Sequence, residues 1–216
     1  MKAGRLFWRT SPFVAALSVM AFACAPKAPP LRGVTARPAL PELSILSGHS
    51  RLVFDWKYED PDIRAHGDGA ARTAFPDSAR VDLFLEGGLG TAVAVLIGDT
   101  LRAPGPDAVK RMIPPAPLLW AALGRLAVPP AADTSARLDG DTLRVDIGRD
   151  KVWRVTIAGG ALVRLERIDG GRIVQSVRRA DDSHVRYYDA TARRSLELTI
   201  TRVDRNADVD ASIWSL

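Results

Sequence analysis

Three histidines, one acidic run and one cysteine are the residues of this sequence whose types and spacing could do chemistry. His49, His66 and His184 sit in unrelated contexts, and the last two alternate with charged residues on strand faces, where an imidazole is solvated. Asp204-x-Asn206-x-Asp208-x-Asp210 imitates the start of a calcium loop. Such a loop needs glycine at its sixth position for the sharp turn and a bidentate carboxylate at its twelfth. Val209 and Ser215 stand there, so no calcium is expected. The sequence contains no G-x-S-x-G, H-E-x-x-H, Walker loop or dinucleotide fingerprint. The expectation is a protein that is not an enzyme, with no catalytic residues, metal or cofactor.

The cysteine is different. Lys2, Arg5 and Arg9 precede an apolar run from Pro12 to Ala23, too short to span a bilayer, and Cys24 follows at once in Ala21-Phe-Ala-Cys24. The order of charge, apolar run, small residues and cysteine is similar to a bacterial lipobox, with residues 1–23 a lipoprotein signal peptide and Cys24 the lipidated N-terminus. An ordinary signal peptide cut nearby, with Cys24 an incidental thiol, is the other reading. A thioether-linked diacylglycerol plus an N-acyl chain exceeds the two-signal requirement for stable anchoring. Ala25 is not the Asp associated with inner-membrane retention, which favours the outer membrane, facing the periplasm.

A single cysteine excludes an internal disulfide and any multi-cysteine metal site. The 216 residues are 47% hydrophobic and 25% charged, enough for a core and unlike a disordered chain. Removing the three basic residues of the signal segment lowers the formal charge from +5 to +2, so no nucleic-acid partner is expected. Residues 24–42 hold Pro26, Pro29, Pro30, Pro38 and Pro41 and read as an extended tether, able to hold a domain on the order of 50 Å from the bilayer.

Residues 43–216 form the domain, and its dominant period is two. Leu52, Phe54, Trp56 and Tyr58 alternate with charged residues, as do Val81, Leu83 and Leu85, and later Leu196, Leu198 and Ile200. Glycine pairs and Asp-Gly steps at 139–140, 159–160 and 170–171 supply hairpin turns. About eleven strands are expected, most joined by hairpins. The pattern breaks from Pro104 to Pro130: Asp107–Met112 can form two helical turns. Leu118, Leu119, Ala122, Leu123 and Leu126 follow at helical spacing behind Pro117. The fold class is mainly β, an antiparallel open half-barrel covered by short inserted helices.

A cysteine after a lipobox-like run, a proline-rich segment and a β sheet interrupted by short helices together resemble the LolA/LolB lipoprotein-carrier superfamily, and within it the LolB outer-membrane receptor branch. The resemblance runs over about residues 45–216 and rests on Asp82–Val95, Met112–Leu126 and Ser195–Trp214. It implies an apolar concavity that holds acyl chains or lipoproteins, a periplasmic LolA-like donor carrier, membrane contact through the N-terminal lipid, and a monomer. Phe54, Trp56, Leu83, Leu85, Leu119, Trp120 and Leu123 would line the concavity or its lid, or simply pack helix on sheet. Leu89, between Gly88 and Gly90 at a hairpin tip, would be the membrane-insertion loop of that family, or would fold back on the sheet edge. The alternative function is a lipid-sensing or structural envelope lipoprotein on the same scaffold, without transport activity.

Overall fold

The structure, a computed structural model, describes residues 25–37, 40, 48–74, 76–88 and 90–215. The signal segment, Cys24 and Leu89 lie outside them. The alternation read from the sequence becomes strands β1 (Val34–Ala36), β2 (His49–Glu59), β3 (Arg64–Ala74), β4 (Ser78–Leu85), β5 (Thr91–Ile97) and β6 (Thr100–Arg102). Helices α1 (Asp107–Met112) and α2 (Ala116–Ala122) follow. The chain then returns to strands with β7 (Thr134–Asp139), β8 (Thr142–Ile147), β9 (Lys151–Ala158), β10 (Ala161–Asp169) and β11 (Arg172–Arg179). It closes with β12 (His184–Asp189) and β13 (Arg194–Arg205).

All thirteen described strands make one sheet in the order β1-β7-β8-β9-β10-β11-β12-β13-β2-β3-β4-β5-β6, with β1 and β6 as separate edges. Each neighbouring pair is antiparallel. The fold is therefore the open, mainly β architecture expected, with both edges only three residues long, which limits pairing with other chains. Register shifts at Leu162/Arg164, Arg167/Ile168 and Ile200/Arg202 mark bulges, the usual device for bending a long sheet.

One face carries the core. Leu52, Phe54, Trp56 and Tyr58 of β2, Val81 and Leu83 of β4, Val145, Val155 and Val177 of the later strands, and Leu196 and Leu198 of β13 are all buried in one cluster. The largest rings sit where the neighbouring strand has no side chain: Phe54 lies opposite Gly69 and Trp56 opposite Gly67. A Cβ on Gly69 would run into the Phe54 ring, and one on Gly67 into the Phe84 carbonyl oxygen. A ring can shift; a backbone carbonyl in a sheet cannot. Gly67→Ala is expected to cost roughly 1–3 kcal/mol. In thermal unfolding followed by circular dichroism this is a Tm fall of roughly 3–10 °C, and an unchanged Tm would show that β4 yields freely there.

Two strands exceed the expected eleven, and one corrects the tether. Residues 25–36 do not stand off from the domain. Ala28 N–H donates to Gly171 O and Ile173 N–H to Pro26 O, each at 2.9 Å, while Val34–Ala36 pairs with Leu138–Ala136 of β7. The holds come from the sheet's arginines as well: Arg154 donates to Pro29 O and Arg172 to Ala25 O. Arg154 is itself fixed by a two-pronged contact with Asp146 at 2.7 and 2.8 Å. Proline removes its own N–H but leaves its carbonyl free to accept, so a proline-rich segment can be strapped down by donors from elsewhere. The strap crosses the outer face of the sheet, opposite the core.

Candidate functional site

The helical insertion covers the apolar face. Pro106 and Pro115 precede α1 and α2 with fixed φ, and Gly124, at φ +87°, turns the chain out of α2 in the left-handed region. The second helix is shorter than the apolar spacing suggested: it ends at Ala122, with Leu123 as its cap and Leu126 beyond it. Ala-Pro-Leu-Leu-Trp-Ala-Ala has the Trp120 indole N–H as its one polar side-chain group, and Ala116 and Leu118–Ala122 are all buried. A helix apolar on every side belongs inside a core. This one rests on β10, β11 and β12, while Trp120 Nε1–H reaches across to Gly98 O in the β5–β6 turn at 2.8 Å. It thus bridges the two arms of the sheet.

Phe54, Trp56, Leu83, Leu119, Trp120 and Leu123, the residues named from the sequence, meet in this one cluster, with half-buried Leu85 against it. They pack on one another: Trp56 is 1% and Trp120 3% exposed. The helix α2 covers this apolar face directly. Gly90 closes the loop after Glu86–Gly88 by accepting from Leu85 N–H at 3.1 Å.

Polar contacts hold the lid at both ends, and the sequence reading missed the residues that make them. Arg179 of β11 points inward and donates to Ala122 O, at the C-terminal end of α2, at 2.7 Å, and to Asp182 O at 3.3 Å. Burial lowers its pKa from the ordinary arginine value, with the charges of Asp182 and Asp181 opposing that. Its signal was present: Arg178 and Arg179 are successive on a strand, so one of them must face inward. At the opposite end Arg194 donates to Arg111 O, at the end of α1, and Arg111 itself reaches Asp62.

Arg194 belongs to a buried network. Asp189 accepts from Arg194 at 3.0 Å, from Gln175 at 2.9 Å and from the backbone N–H groups of Thr191 and Ala192. Burial pushes the Tyr187 hydroxyl well above its ordinary pKa, with Asp189 adding to the rise and Arg194 opposing it. Tyr58 is raised to about 12 by burial and by its hydrogen bond to Asp60. For Asp189 burial acts to raise the pKa, but the bonds from Ala192 and Gln175 and the charge of Arg194 outweigh it, leaving it lowered. A lowered folded-state pKa stabilises the fold above the unfolded value near ~3.9 and loses that stability as pH falls through the folded value. Urea unfolding should therefore give a flat stability from pH 7 to about 5 and a decline below about 4. Asp189→Asn should be less stable at pH 7 by about 2 kcal/mol, with a shallower acid decline; an equally steep decline would assign it to other carboxylates.

The remaining chemistry-bearing residues are engaged locally. His66 pairs with Glu86, and His184 with Asp181 at 2.9 Å, both exposed. Asp210 caps the final turn by accepting from Ser212 N–H, and Asp204 pairs with Arg202.

Among solved structures the chain is similar to a LolA superfamily protein from Nitrosomonas europaea, with a TM-score of 0.49 at 12% identity over 78% of this chain and 90% of that one. A DUF1329 family protein from Desulfovibrio piger gives a TM-score of 0.45 at 8% identity, covering 78% of this chain and 90% of that one. A domain described as that of an outer membrane lipoprotein-sorting protein from Vibrio parahaemolyticus gives 0.42 at 8% identity, covering 78% and 89%. No protein-family model matches the sequence, and no curated protein matches it.

Proposed function

We propose that this chain is a non-enzymatic envelope lipoprotein, anchored in the outer membrane through Cys24 and facing the periplasm. It receives acyl chains or lipoproteins in the apolar concavity beneath α2, from a LolA-like carrier, and assists their insertion, with Leu89 between Gly88 and Gly90 touching the membrane. The observation that carries the reading is α2 itself. A seven-residue helix without a charged side chain covers the apolar face, bounded by Pro115 and Gly124. Acyl chains offer the same kind of surface, worth about 0.8 kcal/mol per buried CH₂, so exchanging helix for lipid replaces one burial with another. Such binding is non-directional and tolerates varied cargo.

The close packing of α2 also favours a second reading, a structural or lipid-sensing envelope protein whose concavity stays filled. Native mass spectrometry on the chain from Ala25 onward, which carries every described element, separates the two. Challenge with a triacylated lipopeptide should add its mass to the folded protein, and Leu123→Glu or Trp120→Arg should abolish the adduct. A folded wild-type protein that keeps its unliganded mass overturns cargo binding and leaves the second reading.

A further inference from the structure

The outer face of the sheet carries a row of three arginines, of which the fold pairs two with carboxylates. Register places Arg164 of β10 opposite Arg178 of β11, and Arg178 opposite Arg186 of β12. Neighbouring strands lie only about 4.8 Å apart, and like charges directly opposite one another destabilise a sheet. Two carboxylates stand beside the row, Glu166 at 3.3 Å from Arg164 and Glu197 at 3.3 Å from Arg186. Among the described residues Arg178 has no ion pair. A groove of about 350 Å³ runs along the row, lined by the three arginines, Tyr188 and Pro26, with the Glu166 carboxylate also in its wall. Tyr188 is 38% exposed, with the Arg186 guanidinium 6.0 Å above its ring.

We infer that Arg164, Arg178 and Arg186 form a groove that binds the phosphodiester of an anionic phospholipid head group. Guanidinium forks match phosphate oxygens two at a time, which suits a planar row better than point charges would. The flanking Glu166 and Glu197 leave the row one charge in surplus, enough for one phosphate and repulsive to an extended polyanion. The choice of a lipid as the source rests on the proposed anchoring through Cys24: Pro26, two residues after it, forms one wall of the groove, and Arg172 donates to Ala25 O. Tyr188 adds an apolar ring with a polar tip, the side chain suited to a head-group boundary. The groove lies on the face opposite the buried Val177, Val185 and Tyr187, so it works independently of what the concavity holds.

The test uses the chain from Ala25 onward, which lacks any lipid anchor. Flotation with phosphatidylglycerol vesicles should carry the protein up, phosphatidylcholine vesicles should carry little, and glycerophosphoglycerol should raise the Tm. Arg178→Gln and Arg186→Gln should each weaken vesicle binding about tenfold or more. Arg178→Gln should also leave the unliganded Tm equal or higher, because a like-charge neighbour is gone. Binding unchanged in both variants, or no flotation at all, overturns the inference. Inorganic phosphate raising the Tm without any flotation overturns the lipid as the source. Loss of flotation together with a lower unliganded Tm in Arg178→Gln overturns it too, since the arginine is then structural.

Discussion

Replacing Trp120 by alanine is expected to cost about 3–5 kcal/mol, the largest loss for any lid residue. The indole is buried in the main cluster, donates to Gly98 O, and lies under the Arg125 guanidinium at 4.6 Å. Most of the loss is transfer plus cavity, because Leu118 and Ala121 on the same helix are fully buried and leave little freedom to collapse into the gap. Trp120→Phe divides the contributions. It keeps most of the apolar contact but leaves Gly98 O without its indole donor and weakens the cation–π contact, a combined cost of about 1–2 kcal/mol. Urea unfolding by far-ultraviolet circular dichroism gives both values. The alanine variant should also bind an apolar dye while still folded, since α2 then no longer bridges the two arms of the sheet. A loss below about 1 kcal/mol would mean that α2 rests on the sheet without being part of its core.

Much of this arrangement is legible in the sequence because its causes are local. Alternation assigns Leu52, Phe54, Trp56 and Tyr58 to one face, and each is buried there. The proline brackets locate α1 and α2, although the end of α2 is set by Gly124 adopting a left-handed φ rather than by apolar spacing. What sequence alone hides is non-local. Val34–Ala36 has no inward apolar alternation: Val34 is 69% exposed, and the strand exists through backbone pairing with β7. In β7 only Ala136 is buried, so no period of two marks it. The strap is held by arginines more than a hundred residues away in sequence, Arg154 and Arg172. Gly67 and Gly69 look like weak points in a strand, yet they make room for backbone and rings from adjacent strands. The apolar face was legible as a set of residues and the inserted helices as its cover; whether α2 packs directly on the sheet or leaves room beneath it was not, because a sheet under an apolar helix and one lining an empty apolar cavity require the same residues.

Arg179→Glu should be severely destabilising, by about 3–5 kcal/mol, whereas Arg179→Met should stay within about 1.5 kcal/mol of the wild type. The difference lies in what surrounds the side chain. Arg179 is 6% exposed and its described hydrogen-bond partners are two backbone carbonyls, those of Ala122 and Asp182. A carboxylate there would face oxygen atoms at the negative end of α2, with Asp181 and Asp182 adding repulsion. Methionine fills similar space and relieves the desolvation of a buried cation, an exchange that is often neutral or favourable. Stability is not the only readout. Without the guanidinium, the C-terminal end of α2 keeps its apolar contacts but loses the bond that ties Ala122 to β11. Hydrogen exchange at Leu119–Gly124 should therefore quicken in Arg179→Met even where the global stability is unchanged. If lipid enters beneath α2, uptake of a triacylated peptide should quicken with it. Exchange as slow as in the wild type would show that apolar packing alone holds the helix.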